Sequence, residues 1–492
     1  MKLKPEKFYR ASRKNFNILQ LKVSLRFISI LIKMRHNQYY ILFLFIVFTF
    51  TENQAQINYT VETGTLISGG KQTPAWLISN EYGKFSMEKF QYFLSAGLDK
   101  KTDYSKQFDY GFDLELYNRF DRDKTNHFWL HEGYGELKYR FLRLQAGVRE
   151  EVFGIHDTTL SSGSFIWSQN ARPMPKITLS TPGFIDVPFT QSIVQFKSLL
   201  SHGWFEHDRY VHNPLLHHKN VYLNIGPKWP VTLTVGMEHF VMWGGESTDP
   251  EILQIPTGWD IYKRVFVGSE IPVDPSSPLW NERNAVGNHL GSYNIGIQVK
   301  NITDYTLFLY WQHPFEDGSG LRWKNWEDGL FGGSIKSKKK DAIFQGFCYE
   351  LFNSMDHGIE GVYTGEVDAD NYFNNFLYMN GWTRFNQVIG HAFIESPMFK
   401  DRTSIYNNRI LAHYLAAQLH YKKAKLILNY IHSKNKGNMY SELKPPEYQQ
   451  IVSLNANYTL NSNIHIGSKL VYEWGAFYGN NAGVVVMVSY GW

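Results

Sequence analysis

The chain has 492 residues, a formal charge of +5, 16% aromatic and 19% charged residues, and one cysteine, Cys348. So small a charge over this length gives no electrostatic footprint for nucleic acid, and one thiol excludes both an internal disulfide and a thiolate metal cluster. The length suits two or three soluble domains or one large barrel, and aromatic girdles at two membrane interfaces would use this many Tyr, Phe and Trp.

Residues 1–33 are basic, show no sustained apolar run, and read as an upstream over-extension of a chain that starts at Met34. Residues 34–55 read as a signal peptide. Lys33 and Arg35 precede the apolar run 39–50, which is too short to cross a bilayer, and cleavage is expected after Ala55. Residues 56–73 contain alternating and Gly-rich pieces and are assigned to a periplasmic lead-in, with an extra strand end as the alternative. Residues 74–492 are assigned to the barrel itself.

Beyond the signal the sequence alternates at period two between turn residues. In the segment 109–119, Tyr110, Phe112, Leu114 and Leu116 share one face, and Asp109, Asp113, Glu115 and Arg119 share the other. The same division recurs in 142–151, with Leu142, Leu144, Ala146 and Val148 against Arg143, Gln145, Arg149 and Glu151, and in 464–474, where Lys469 and Glu473 oppose Leu470 and Tyr472. In the terminal stretch, Val484, Val486, Val488, Tyr490 and Trp492 form one apolar face. Charges recurring on one face of many strands imply a polar interior, as in an antiparallel outer-membrane β-barrel.

Strands are expected near 74–80, 90–98, 108–119, 128–139, 142–151, 176–180, 190–199, 219–225, 231–239, 288–299, 304–312, 341–352, 358–365, 409–421, 424–433, 448–460, 463–474 and 483–492. That makes about 18 strands, and a count of 16 satisfies the same pattern. With Trp492 on the periplasmic side, the turns 140–141, 226–229, 301–303, 422–423 and 461–462 are short. The opposite connections 152–175, 200–218, 240–287, 313–340, 366–408 and 434–447 are long, as extracellular loops are.

Aromatic faces beside planar polar groups suit sugar rings, whose C–H faces stack while their hydroxyls find amide, carboxylate and guanidinium partners. The long loops offer such mixtures: Asp208 and Arg209; Trp243 and Glu246; and Trp311, His313, Asp317, Arg322, Trp323, Trp326 and Asp328. The competing reading is that these aromatics pack the loops into the barrel mouth without a ligand. Adjacent His217 and His218 near His212 invite a zinc site, but a compact set of ligands is missing and no metal or cofactor is assigned. Glu246, Asp249, Asp317 and Asp328 could be paired for glycoside hydrolysis only if the fold set their separation, and no catalytic residue is assigned. Cys348 shares a face with Glu350 and is expected to point inward as a small residue.

The stretches 208–217 (DRYVHNPLLH), 310–320 (YWQHPFEDGSG) and 132–137 (EGYGEL) resemble the capsule-assembly Wzi family in its Bacteroidota form, and the likeness runs from about residue 60 to Trp492. The resemblance implies an eighteen-stranded barrel in the bacterial outer membrane that acts as a lectin-like protein, holding or organising exported capsular polysaccharide. Enterobacterial members also close one end of the barrel with a helical element, for which this sequence offers no helix-period counterpart. The partners implied are surface polysaccharide and outer-membrane lipid, with export machinery as a further candidate and a monomer as the expected state. A porin or glycan conduit and a surface glycan hydrolase are the alternative functions.

Overall fold

The computed structural model describes residues 57–123, 125–248, 255–269, 286–316, 318–358 and 370–492. The expected over-extension and signal peptide lie outside these residues, as does all but Gly358 of the strand expected at 358–365. Eighteen antiparallel strands form one closed barrel. They are β1 (Asn58–Gly70), β2 (Phe90–Lys100), β3 (Phe108–Asp121), β4 (Asn126–Tyr139), β5 (Leu142–Val148), β6 (Pro175–Ser180), β7 (Val194–Trp204), β8 (Leu215–Ile225), β9 (Val231–Trp243), β10 (Asn288–Ile302), β11 (Tyr305–Phe315) and β12 (Gly329–Ser337). The remainder are β13 (Phe344–Asn353), β14 (Ile410–Tyr421), β15 (Ala424–Gly437), β16 (Glu442–Thr459), β17 (Ile464–Gly475) and β18 (Asn481–Gly491).

Closure is made between the first strand and the last, from Thr60 opposite Gly491 to Gly70 opposite Asn481. Backbone bonds of 3.1 Å in both directions join Tyr59 to Trp492, and their rings stack at 5.5 Å. This corrects the assignment of residues 56–73 to a periplasmic lead-in: Asn58–Gly70 is a wall strand, paired with β2 on its other side. Residues 74–80 are not a strand. Ala75–Ile78 is a short buried helix, and a continuous apolar run of this length reads the same in either conformation.

A second correction concerns Gly329–Ser337, which lies within the connection expected at 313–340 but forms β12. Its alternation is hidden by Gly332 and Gly333. A Cβ on Gly332 would lie 2.1 Å from the Tyr310 ring, which crosses it so that the phenol donates to Glu350 at 2.6 Å on β13. The 434–447 connection shrinks to the turn 438–441, because β15 and β16 extend beyond their expected ends.

Outward faces carry the apolar series: Tyr110, Leu144, Leu470, Tyr472, Val486 and Val488 are all exposed. Inward faces carry Asp109, Arg119, Gln145, Lys469 and Glu473, all buried, together with Cys348. Apart from 181–193, the turns at the Trp492 end are short, and the longest connections, 149–174, 244–287 and 354–409, lie at the other end. By the asymmetry of outer-membrane barrels the latter end is extracellular.

The connections 71–89 and 149–174 and residues 370–409 turn inward and build a core inside the barrel. Trp167 stacks on Phe240 at 5.4 Å and meets Trp382 edge-on at 6.0 Å, Phe165 stacks on Phe352 at 4.9 Å, and Trp76 stacks on Phe393 at 5.6 Å. Backbone bonds tie the three segments together: Tyr82 to Gln169 at 2.7 Å, Ser168 to Ile389 at 2.8 Å and His391 to Phe165 at 2.9 Å. Glu350 anchors this plug to the wall, accepting from the Ser162 amide at 2.7 Å, from both Ser161 and Ser162 hydroxyls, and from Tyr310.

Replacing Glu350 with Ala leaves these donors buried without an acceptor, at a cost of about 3 kcal/mol. The expected outcome in limited proteolysis is new cleavage within 149–174, with the folded barrel retaining its heat-modifiable electrophoretic mobility.

Candidate functional site

The fold separates the expected ligand-contacting residues into three settings. Trp311 and His313 lie on the outward face of β11, opposite Phe331 and Tyr293 of the neighbouring strands. The connection 316–328 folds back over this outer wall, so that Trp323 stacks on His313 at 4.6 Å and on Tyr293 at 4.9 Å and meets Trp311 at 5.4 Å. Trp326 stands beside them, 65% exposed. Arg322 is exposed, and Asp317 lies outside the described residues. Trp243 is also on the outer wall, buried beneath the helix Trp259–Val267, where it meets Tyr262 at 5.6 Å.

Asp328 is fully buried. Its carboxylate accepts from the amides of Asp356 at 2.9 Å and His357 at 2.8 Å and from the Tyr372 hydroxyl at 2.8 Å. It therefore fastens the long connection 354–409 to the wall and cannot reach a glycan. Burial pushes its pKa up to about 7, with those three hydrogen bonds opposing the shift.

The third setting faces outward from the plug. Asp208 is exposed beside Arg209, which is buried, pairs with Glu206 at 2.8 Å and donates to the carbonyls of Thr383 at 2.6 Å and Gly381 at 2.8 Å. Tyr210 N–H donates to Asn380 at 2.7 Å, and exposed Glu246 pairs in a short bridge with His212. The connection 205–214 is thereby locked to the tip of 354–409. Around this junction Phe376, Met379, Phe385 and Tyr406 stand exposed, and the Arg402 guanidinium lies over Tyr406 at 4.1 Å.

His217 and His218 point to opposite sides of β8. His217 bonds Tyr262 on the outside at 3.2 Å, and His218 bonds Glu238 inside at 2.6 Å, so period-two geometry breaks up the zinc reading. Among the described residues one group, Glu115, His131 and Glu150, has metal-like spacing. The Lys84 ammonium already sits there, 3.2 Å from Glu150 and 3.7 Å from Glu115. Burial alone would lower its pKa, but Glu150 and Glu115 hold it above lysine's ordinary value.

The residues missed by sequence reasoning are Arg172, Arg384, Phe385, Phe376 and Tyr406. No spacing joins them; a single Arg–Phe dipeptide at 384–385 is the only local trace.

Fold and site define an outer-membrane β-barrel whose extracellular loops fold into its mouth and present a surface of half-exposed apolar side chains and arginines. The chain belongs to the capsule assembly protein Wzi family, whose profile matches residues 58–483. It is similar to a solved structure from Escherichia coli described as Wzi, an outer-membrane protein involved in group 1 capsule assembly and a carbohydrate-binding β-barrel. The identity is 13%, 87% of this chain and 83% of that one are covered, and the TM-score is 0.58. Pseudomonas aeruginosa OpdL is similar at 8% identity over 89% of this chain and 98% of that one, with a TM-score of 0.48. A search of curated protein sequences finds no match.

A carboxyl group whose pKa is raised on folding stabilises the folded state most at low pH, and that stability is lost as pH rises from about 4 through about 7 for Asp328. The plug is expected to loosen over this interval by on the order of 3 kcal/mol. Hydrogen exchange at the Asp356 and His357 amides, corrected for intrinsic rates, should be better protected at pH 5 than at pH 8. Asp328→Asn should flatten that difference.

Proposed function

We propose that this protein binds exported capsular polysaccharide non-covalently at the cell surface and helps to retain it there. The observation that carries the reading is the surface at the junction of 205–214 and 354–409. There Phe376, Met379, Phe385 and Tyr406 are exposed on a plug whose own packing and hydrogen bonds hold them in place. Aromatic faces on a rigid support meet a sugar ring without an ordering cost, and Asp208 and Glu246 beside them offer carboxylates to hydroxyls. Trp326 at the outer rim supplies a further contact. Trp243, Trp311, His313, Arg209, Trp323 and Asp328 act in this reading as the frame that fixes the loops.

Family membership supports the reading, as does the description of the Escherichia coli structure as a carbohydrate-binding barrel involved in capsule assembly. A polymer offers many repeats, so individually weak contacts give firm retention. In this reading no bond is made or broken, and full burial of Asp328 removes that one residue as a partner for a surface carboxylate in hydrolysis. A conduit would instead need a path through the mouth, where Trp167, Trp382 and Phe240 pack against one another and Phe165 packs against Phe373.

The test is binding of the purified, detergent-folded protein to capsular polysaccharide from its source strain, with an unrelated glycan as control and single-channel conductance recorded on the same sample. Selective binding without conductance is expected. The triple variant Phe376→Ala, Phe385→Ala, Tyr406→Ala should bind about tenfold more weakly or worse, taking about 0.5–1.5 kcal/mol for each ring. Conductance with no glycan binding would move the protein to the porin class.

A further inference from the structure

Four guanidinium groups gather at the extracellular end of the wall between β3 and β7. Arg119 pairs with Asp121 at 2.9 Å, and Arg209 pairs with Glu206 at 2.8 Å. Arg384 reaches the same Glu206 only at 4.0 Å and otherwise donates to the Trp204 carbonyl at 3.3 Å. Among the described residues Arg172 has no ion pair. Its guanidinium lies over two rings, 4.0 Å from the Trp129 centroid and 4.9 Å from that of Phe385, and the Arg384 guanidinium also lies 5.1 Å from the Phe385 centroid.

Among the described residues, Nε is the one Arg172 nitrogen with a protein acceptor, the Gly83 carbonyl at 3.3 Å, and neither Nη is enclosed. Two carboxylates thus face four guanidiniums. One of the two, Asp121, also bonds His127 at 3.3 Å and the Ser86 hydroxyl at 3.4 Å. The uncompensated charge is felt within the cluster. Burial, followed by the charges of Arg119 and Arg384, pushes the Arg172 pKa down to about 10, and burial pushes that of Arg384 to about 10 despite Glu206. Like charges crowded into a partly desolvated site favour an anion.

We infer that Arg172, with Arg384 behind it, is a carboxylate-binding subsite of the glycan surface, taking a uronic-acid residue whose ring lies on the exposed face of Phe385. The open Nη pair matches the two oxygens of a carboxylate as a fork, and Phe385, 46% exposed, stands beside it for the sugar's C–H face. The subsite rests on the polysaccharide-binding reading and narrows it to acidic polymers. It also assigns a purpose to a cluster that plug packing alone would disfavour.

The experiment compares retention of the source strain's capsular polysaccharide with that of its carboxyl-reduced form, and of polygalacturonate with dextran, by the detergent-folded protein. The parent should bind the carboxylated member of each pair about ten- to hundredfold more tightly. Arg172→Gln should abolish that preference and Arg172→Lys should restore part of it. Phe385→Ala should weaken both members together and leave the ratio intact, which separates loss of the charge from general damage. Heat-modifiable mobility and plug proteolysis confirm that each variant is folded. Equal retention of native and carboxyl-reduced polysaccharide, or an unchanged ratio in folded Arg172→Gln, overturns the subsite while leaving glycan binding standing. Retention of neither polysaccharide overturns both. Displacement of polygalacturonate by inorganic phosphate at the same anion concentration would show a site indifferent to the sugar and would overturn the uronate assignment.

Discussion

Pairing of β1 with β18 is the constraint on which everything else depends. Hydrocarbon offers no partner for backbone N–H and C=O groups, so a sheet crosses it only when its two edges meet. The eleven-residue register from Thr60–Gly491 to Gly70–Asn481 supplies that meeting. Closure then fixes the alternation of every strand. One face must be apolar for lipid, and the other encloses a space in which charges need partners. Lys84 between Glu115 and Glu150, Arg149 at 3.1 Å from Glu136, and Glu238 accepting from Tyr222, Asn220 and His218 are the wall's solutions.

A ring of eighteen strands encloses more room than wall side chains can fill. Here the extracellular connections enter it. They bring an apolar core of their own, centred on Trp167, Trp382 and Phe165, and they are fastened by polar groups that lose much if released, Glu350 from the wall and Asp328 from its rim. Gly390 marks the tightness of the assembly, because a Cβ there would fall 2.3 Å from the Phe373 ring.

A loop surface built this way behaves as part of the barrel. Arg209 bridges the 205–214 segment to the carbonyls of 381 and 383, so the aromatic and cationic side chains around it sit on a fixed platform. Such a platform suits a long polymer, for which the contribution of each contact is small and repetition supplies the retention. Four arginines of which three share two acidic partners are an unfavourable arrangement for a closed core and a favourable one for a surface that meets acidic sugars.

The barrel was legible in the sequence because period two is a local property: Val484, Val486 and Val488 face lipid as their spacing requires, and Lys469 and Glu473 face in. The total of eighteen was legible although two wall strands, Asn58–Gly70 and Gly329–Ser337, were not placed and 74–80 is a short helix, since glycines and short apolar runs carry no decisive period. The site was legible only in part. Sequence brought Trp311, His313 and Trp323 together, and the structure does join them, but on the outer wall, because the fold of 316–328 over the rim is not written in its own residues. It separated Arg172 from Arg384 and Phe385, which meet only because two connections enter the same mouth. By itself, then, the sequence determined the barrel, its membrane and its inward and outward faces, each set by neighbours along a strand. Tertiary structure alone decided which loops turn inward and which side chains remain exposed above them, because those outcomes depend on packing between segments far apart in the chain.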